Sequence, residues 1–161
     1  MDVVASALAT SAASLAAVVD LRSRRIPNWL TAALAVGGVL LNVWRDGVAG
    51  LWIALAGAAL GLAVLLPFYA VRAIGAGDVK LLAGLGAVLG PTLLVSVAIY
   101  AALAGGLMSV ILLAGSGRLL SVLHEVFVEH RPPTRGGATA PYGVAIASGM
   151  YLTLVLPSVL G

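Results

Sequence analysis

The sequence predicts an all-α membrane protein with six transmembrane helices, of which the fourth is short. Of its 161 residues, 61% are hydrophobic and only 9% are charged, whereas a soluble domain carries about 25% charged residues. The apolar residues fall into six runs separated by short polar or Gly/Pro-containing breaks. The cations concentrate in alternate breaks, as expected for loops that alternate between the two sides of a membrane. We therefore expect one membrane-embedded domain over residues 1–161.

The six apolar runs define the expected helices in chain order. A helix needs roughly 20 apolar residues to cross the hydrocarbon core, and on that basis the helices are predicted at about 3–20, 28–44, 48–72, 78–90, 92–114 and 141–160. The first is predicted to be a retained helix and not a cleaved signal peptide, because no basic region precedes it.

The fourth run is too short for an ordinary membrane span. Residues 81–90 rise only about 15 Å at 1.5 Å per residue. From length alone the run is a truncated span, a re-entrant hairpin, or the first half of one long helix.

The distribution of lysine and arginine favours a fourth run that crosses. If all six runs cross, eight of the nine cations lie on one side and only Arg45 lies on the other. If the fourth run does not cross, the three arginines of the 115–141 loop move to the opposite side. The positive-inside rule then makes the cation-rich side cytoplasmic and places both ends of the chain outside the cytoplasm.

A short amphipathic helix is expected on the cytoplasmic surface at about 117–130, between the fifth and sixth helices. Its apolar residues recur at helical spacing, and polar residues occupy the rest of its surface. The apolar face consists of Leu119, Val122, Leu123, Val126 and Phe127.

Composition excludes several classes of site. The chain has no cysteine, which removes disulfides and thiolate chemistry, and only two histidines, so neither a metal nor another cofactor is expected. Nine cations in the loops are too few for a nucleic-acid-binding stripe. The expected non-protein partner is membrane lipid, and the oligomeric state stays open.

Two of the six acids sit where an apolar helix meets the cytoplasmic face. Asp20 closes the first run and Asp78 precedes the fourth. The other four acids lie in outer segments or on the surface helix: Asp2, Asp46, Glu125 and Glu129. Because an ionisable group at membrane depth is costly, two acids at matched depth suggest a functional pair. Taken singly, Asp20 also fits a helix-end acid that reaches the interface, and Asp78 fits a capped turn.

Two carboxyl groups about 3 Å apart share one proton, so one can act as general base on water while the other polarises a carbonyl. Gly75 and Gly77 precede Asp78 and permit close backbone approach. They could accept a substrate backbone as an added strand. Asp78 itself is expected to cap the fourth helix.

Three motifs resemble those of the type IV prepilin peptidases, which are GxGD membrane aspartic peptidases. They are Asp-Leu-Arg-Ser-Arg-Arg-Ile-Pro-Asn at residues 20–28, Gly-Ala-Gly-Asp-Val-Lys at 75–80, and Pro-Tyr-Gly-Val-Ala-Ile at 141–146. They occur in the family order, and the likeness covers nearly the whole chain.

The resemblance implies an endopeptidase of the bacterial or archaeal cytoplasmic membrane that removes prepilin leaders on the cytoplasmic side. It implies Asp20 and Asp78 as catalytic acids, with Gly75 and Gly77 as a backbone strip. The substrate would carry a short basic leader followed by a hydrophobic helix.

The polar residues around the pair have two readings each. Lys80 either tunes the pair or binds substrate, or it is an interfacial anchor. Asn28 either hydrogen-bonds near the pair or is an ordinary helix-end residue. The arginines at 22–25 set topology and contact lipid, or recognise an acidic substrate residue.

The chain departs from larger prepilin peptidases, which carry a cytoplasmic zinc region with paired cysteines and also methylate the pilin. The first cytoplasmic loop here is short and cysteine is absent. This form resembles the prepilin peptidases of tight-adherence (Flp) pilus systems, so peptidase activity without methyltransferase activity is expected.

Two other classes use the same sequence features. A small proton-coupled transporter also needs intramembrane acids, but it should hold them near the midplane on broken helices. A non-catalytic membrane scaffold would not depend on either aspartate.

Overall fold

The computed structural model describes residues 2–117, 119–127 and 142–159, which are helical and contain no strand. The helices are α1 (Val3–Ser23), α2 (Asn28–Ala70), α3 (Ala76–Gly115), α4 (Leu119–Phe127) and α5 (Tyr142–Val155). Within these ranges α1, α2 and α3 are long and apolar enough to cross a membrane, and α5 is a shorter apolar helix. The prediction of an all-α chain with apolar helices of membrane-spanning length is confirmed.

The chain folds back on itself inside α2, at the break expected around residue 47. Gly47 has φ 57° and ψ −129°, which lies outside the helical region. A Cβ atom at Gly50 would collide with the backbone carbonyl of Asn42. Residues eight apart in a straight helix are separated by about 12 Å. This contact therefore requires α2 to consist of two helical segments that lie side by side.

A second reversal lies inside α3, at the expected Gly90-Pro91 break. Gly90 has φ 75° and ψ 174°. A Cβ atom at Gly86 would lie 2.8 Å from Cδ2 of Leu94, although the two residues are eight apart. α3 is thus also two segments, residues 76–89 and 91–115.

The buried side chain of Asn42 compensates for the backbone hydrogen bonds that this second break removes. Pro91 has no N–H to donate to the carbonyl of Ala87. Asn42 Nδ2 lies 2.9 Å from the Ala87 oxygen and 3.2 Å from the Val88 oxygen. An unpaired carbonyl in apolar surroundings is costly, so Asn42 stabilises the end of the segment at 76–89.

The segment at 76–89 forms the centre of the structure. Most of its residues are buried, including Leu81, Leu82 and Leu85. The second half of α2 approaches it through glycines. A Cβ atom at Gly57 would collide with the Gly86 carbonyl, and one at Gly61 would lie 2.6 Å from the Leu82 carbonyl. Such backbone contact is typical of helices that associate inside membranes.

α5 packs on α1 and on the second half of α3. A Cβ atom at Gly149 would lie 2.6 Å from the Val97 carbonyl. Ser14 Oγ and the Tyr151 hydroxyl form a 2.8 Å hydrogen bond between α1 and α5. The helix ends at Val155, earlier than the sequence pattern suggests, because Pro157 follows and disfavours helix before it.

The opposite ends of α1 mark the two ends of the helical assembly. Asp2 caps the start of α1 through a 3.0 Å hydrogen bond from the Val4 N–H, and it pairs with Arg45 near the reversal at Gly47. The other end of α1 lies at the starts of α3 and α5, and all three helices contribute residues to the lining of one cavity.

The predicted surface helix corresponds in position to α4. α4 runs from Leu119 to Phe127. Residue 118 and residues 128–130, which the prediction also included, lie outside the described residues.

The glycine contact between α2 and α3 can be tested by substitution. Gly57→Ala should destabilise the protein by about 1–3 kcal/mol, because its Cβ collides with the carbonyl of Gly86. Gly37→Ala on the same helix is the matched control, since its Cβ would meet only Leu8 Cδ2 at 3.6 Å. Thermal unfolding in detergent should show a lower Tm for Gly57→Ala and an unchanged or higher Tm for Gly37→Ala. Equal Tm values for the two variants would contradict this packing.

Candidate active site

Asp20 lies in the last turn of α1 and is held by the residue that ends this helix and by one residue of α5. Arg24 ends the helix in the left-handed conformation (φ 50°, ψ 31°), and its N–H donates to the Asp20 carbonyl at 2.8 Å. The Asp20 side chain is only 7% exposed. Its Oδ2 accepts a 3.0 Å hydrogen bond from the backbone N–H of Gly143 in the first turn of α5.

Asp78 lies in the first turn of α3 and is held by its own turn. Its Oδ2 accepts a 3.0 Å hydrogen bond from the N–H of Gly75, the residue that caps the helix. The expectation that Asp78 itself is the cap is wrong by three positions. The helix begins at Ala76 because the Asp78 carboxylate accepts a hydrogen bond from the N–H of Gly75, the residue just before the helix. This bond is one half of a capping box.

Gly77 lies in the first turn of α3 and makes room for the protein's own chain. Ala76 and Gly77 are helical, and only Gly75 has extended backbone angles (φ −83°, ψ 154°). A Cβ atom at Gly77 would lie 3.0 Å from Cβ of Ile26. The small residue therefore lets the segment that follows α1 pack against the start of α3, which brings the first two motifs together.

Both aspartates line one cavity of about 650 Å³. The turn before α3 contributes Ile74 and Gly75, α5 contributes Tyr142, and the second half of α3 contributes small residues. These small residues are Ala102, Gly105, Gly106 and Ser109. A neighbouring cavity of about 250 Å³ reaches the same two acids from the side of Ile26 and Gly77. Two buried carboxyl groups thus face common space large enough for a peptide segment.

Two arginines at the cavity end helices in the left-handed conformation. Arg24 follows α1, and Arg72 (φ 60°) follows α2. At the end of α2 the N–H of Arg72 bonds the Tyr69 carbonyl and that of Ala73 bonds the Phe68 carbonyl, both at 2.8 Å. This pair of bonds is the Schellman motif, which usually places glycine where Arg72 lies.

Among the residues the structure describes, no set of three or more His, Cys, Asp or Glu side chains lies together in the way a metal site requires.

A model of the type IV leader peptidase family matches residues 7–110. The match covers more than half of the chain and includes both aspartates with their motifs. The chain belongs to the type IV leader peptidase family. No curated protein and no solved structure gives a significant match. Membership makes the chain a membrane-integral protease of the kind that acts on prepilins.

The family match favours the peptidase over the carrier and the scaffold that the sequence also permits. It includes the first two motifs but ends before the third, at residues 141–146. Residue 141 lies outside the described residues, whereas Tyr142 and Gly143 begin α5 at the cavity.

Asn28 and Lys80 of this leader peptidase meet each other beside the cavity. Lys80 Nζ donates to Asn28 Oδ1 at 2.9 Å, and both side chains are exposed. Neither residue belongs to the lining of the cavities that contain the acids. The bond joins the first residue of α2 to the first turns of α3.

Two contributions to the site escape reasoning from the sequence. The donor to Asp20 is a backbone N–H of a residue 123 positions away, and no side-chain pattern signals it. Arg72 belongs to the loop cations that indicate topology, and its place at the cavity follows from the way α2 ends. For the donor to Asp20, the one indication in the sequence is that Gly143 belongs to the third motif.

The bond between Asn28 and Lys80 should matter little for the reaction. An exposed hydrogen bond to a charged group contributes roughly 1 kcal/mol, so Asn28→Ala and Lys80→Ala should each lower kcat/KM by less than about tenfold. Measured rates on a prepilin substrate check this directly. The double variant should lose no more than either single variant, because both changes remove the same bond. A loss as large as that of a catalytic residue would assign Lys80 a direct role in the chemistry.

Proposed function

We propose that this chain is an aspartic endopeptidase that removes the leader of type IV, Flp-like prepilins at the cytoplasmic face of the membrane. Asp20 and Asp78 are the catalytic acids. The observation that carries the proposal is that both carboxyl groups are buried, line one cavity, and are each oriented by a backbone N–H.

The reaction needs no group beyond the two acids and water. One carboxylate takes a proton from water while the water oxygen attacks the scissile carbonyl carbon. The other, protonated acid donates its proton to the carbonyl oxygen, which gives a gem-diol. The first acid then donates the proton it took from water to the peptide nitrogen as the C–N bond breaks. The second acid, now a carboxylate, takes a proton from one gem-diol hydroxyl, whose oxygen becomes the carbonyl oxygen of the new carboxylic acid.

The proposed topology has six membrane-crossing segments, with both reversals of α2 and α3 on the outer side. The folding back at Gly47 and at Gly90 supports this count. The pairing of the lone outer cation, Arg45, with Asp2 also supports it, because the pair partly neutralises that charge. The remaining cations then lie on the cytoplasmic side together with the active site. α4 is proposed to lie on that surface as an amphipathic helix.

The proposed setting is the cytoplasmic membrane of a bacterium or archaeon. The proposed substrate has a basic leader and a hydrophobic helix that stays in the bilayer. The lining of the cavity supports this, because it combines two acids at helix ends with small residues of α3 that leave space for a substrate segment. The absence of cysteine supports an enzyme that cleaves the leader and does not methylate the product.

The catalytic pair is tested by conservative substitution. Asp20→Asn and Asp78→Asn should each reduce leader removal by at least about 100-fold, because general acid–base groups contribute that much or more. Leader removal is followed by gel mobility after co-expression with a candidate prepilin.

Asp46→Asn is the matched control, since Asp46 is exposed and adjoins the reversal at Gly47 at the other end of the assembly. It should cleave at the wild-type rate. Substantial cleavage by both Asp20→Asn and Asp78→Asn would refute the pair.

The restriction to peptidase activity is tested on the product. The mature pilin should carry a free N-terminal amine, because nothing in the proposed mechanism transfers a methyl group. Mass spectrometry of the N-terminal peptide, from cells in which this chain is the only prepilin-processing enzyme, measures this. An increase equal to one methyl group would contradict the proposal.

A further inference from the structure

The two acids are oriented by donors of different origin. Asp78 receives its N–H from Gly75, three residues away in the same turn. Asp20 receives its N–H from Gly143, on a different helix. Asp78 is therefore positioned as soon as α3 forms, whereas Asp20 is positioned only when α5 packs in place.

Gly143 is packed so closely against Asp20 that a side chain here would displace the Asp20 carboxyl group. A Cβ atom at this position would lie 2.9 Å from Oδ2 of Asp20, 3.0 Å from its Cβ and 3.2 Å from its Cγ. All three contacts are to one buried side chain. The N–H of Gly143 is in the first turn of α5, where helix N–H groups have no partner within the helix and are free to bind a carboxylate.

A second glycine, Gly149, brings α5 into close backbone contact with α3. A Cβ atom at Gly149 would lie 2.5 Å from the Ala101 nitrogen and 2.6 Å from the Val97 carbonyl. These contacts are to the backbone of α3 and lie about 9 Å along the helix from Gly143, at 1.5 Å per residue. α5 thus contacts α3 through one glycine and the Asp20 carboxylate through the other.

We propose that Gly143 is a positioning residue for Asp20: its backbone N–H, and the absence of a side chain at this position, set the orientation of the Asp20 carboxylate for catalysis. The inference rests on the proposed function, in which Asp20 is one of the catalytic acids. Gly143 supplies no group of its own to the proposed proton transfers and acts only through Asp20. It acts through one hydrogen bond and through the space it leaves for the Asp20 side chain.

The test compares Gly143→Ala with Gly149→Ala in the purified, full-length protein. Gly143→Ala should lower kcat by about 10- to 100-fold, since displacing a catalytic group by about 1 Å costs this much, and should leave KM within about twofold. Gly149→Ala disturbs the same helix without touching Asp20. It should lower Tm at least as much, with kcat per folded molecule close to wild type. Gly115→Ala, whose Cβ would meet nothing within 4 Å, is the neutral control.

Two results would overturn the proposal. One is an unchanged kcat for Gly143→Ala. The other is an equal loss of kcat per folded molecule in Gly149→Ala, which would make the effect a general consequence of moving α5.

A second variant covers the case in which Gly143→Ala does not fold. Combining it with Asp20→Gly removes Oδ2, Cβ and Cγ, the three atoms that the new Cβ would meet, so the double variant should regain a Tm near that of Asp20→Gly alone. A double variant that stays unfolded would refute the contact. The proposed function fails separately, through activity of Asp20→Asn. An inactive Asp20→Asn beside a fully active Gly143→Ala overturns only the inference about Gly143.

Discussion

The structure depends on one short buried helical segment, residues 76–89, and on the close backbone contact that surrounds it. A segment of this length rises about 20 Å and cannot span a hydrocarbon core of about 30 Å by itself. The segment is stable because other helices cover it and supply hydrogen-bond donors that lipid lacks. Gly57 and Gly61 allow α2 to approach its backbone, and Asn42 provides donors for the carbonyls freed at its end. Burial on all sides therefore replaces length.

The same segment explains how the protein holds a buried acid. Asp78 stands at its start, where the helix has free N–H groups and the capping residue offers one of them. Asp20 reaches the same cavity from the end of α1, because Ile26 packs in the space that Gly77 leaves open. Helix ends are the places where a buried carboxylate finds backbone donors inside an apolar protein. The site is consequently built from ends of helices and not from their middles.

Much of this could be predicted from the sequence, and the rest depends on contacts that no local pattern records. The breaks at residue 47 and at Gly90-Pro91 are visible because Gly, Pro and charged residues interrupt apolar runs, and both Gly47 and Gly90 adopt positive φ. The sequence predicts Asp78 as the cap, whereas the helix starts at Ala76. An aspartate near a helix start can be the cap or can reach back to it, and the sequence is the same in both cases. Gly77 presents a similar ambiguity, because its contact with Ile26 is not visible in the sequence. A glycine indicates that another chain segment approaches closely, but the sequence does not show whether that segment belongs to the protein or to a substrate.

The two acids thus differ in how much of the fold each requires. The turn that orients Asp78 lies wholly within residues 75–78, inside the region matched by the family model. The region matched at residues 7–110 also contains Asp20, but it does not contain the N–H of Gly143 that orients this side chain. Both carboxyl groups can therefore be recognised from the matched region, while the geometry of the pair cannot be. A site of this kind is complete only when the last helix has packed, which ties the ability to cut a peptide to completion of the fold.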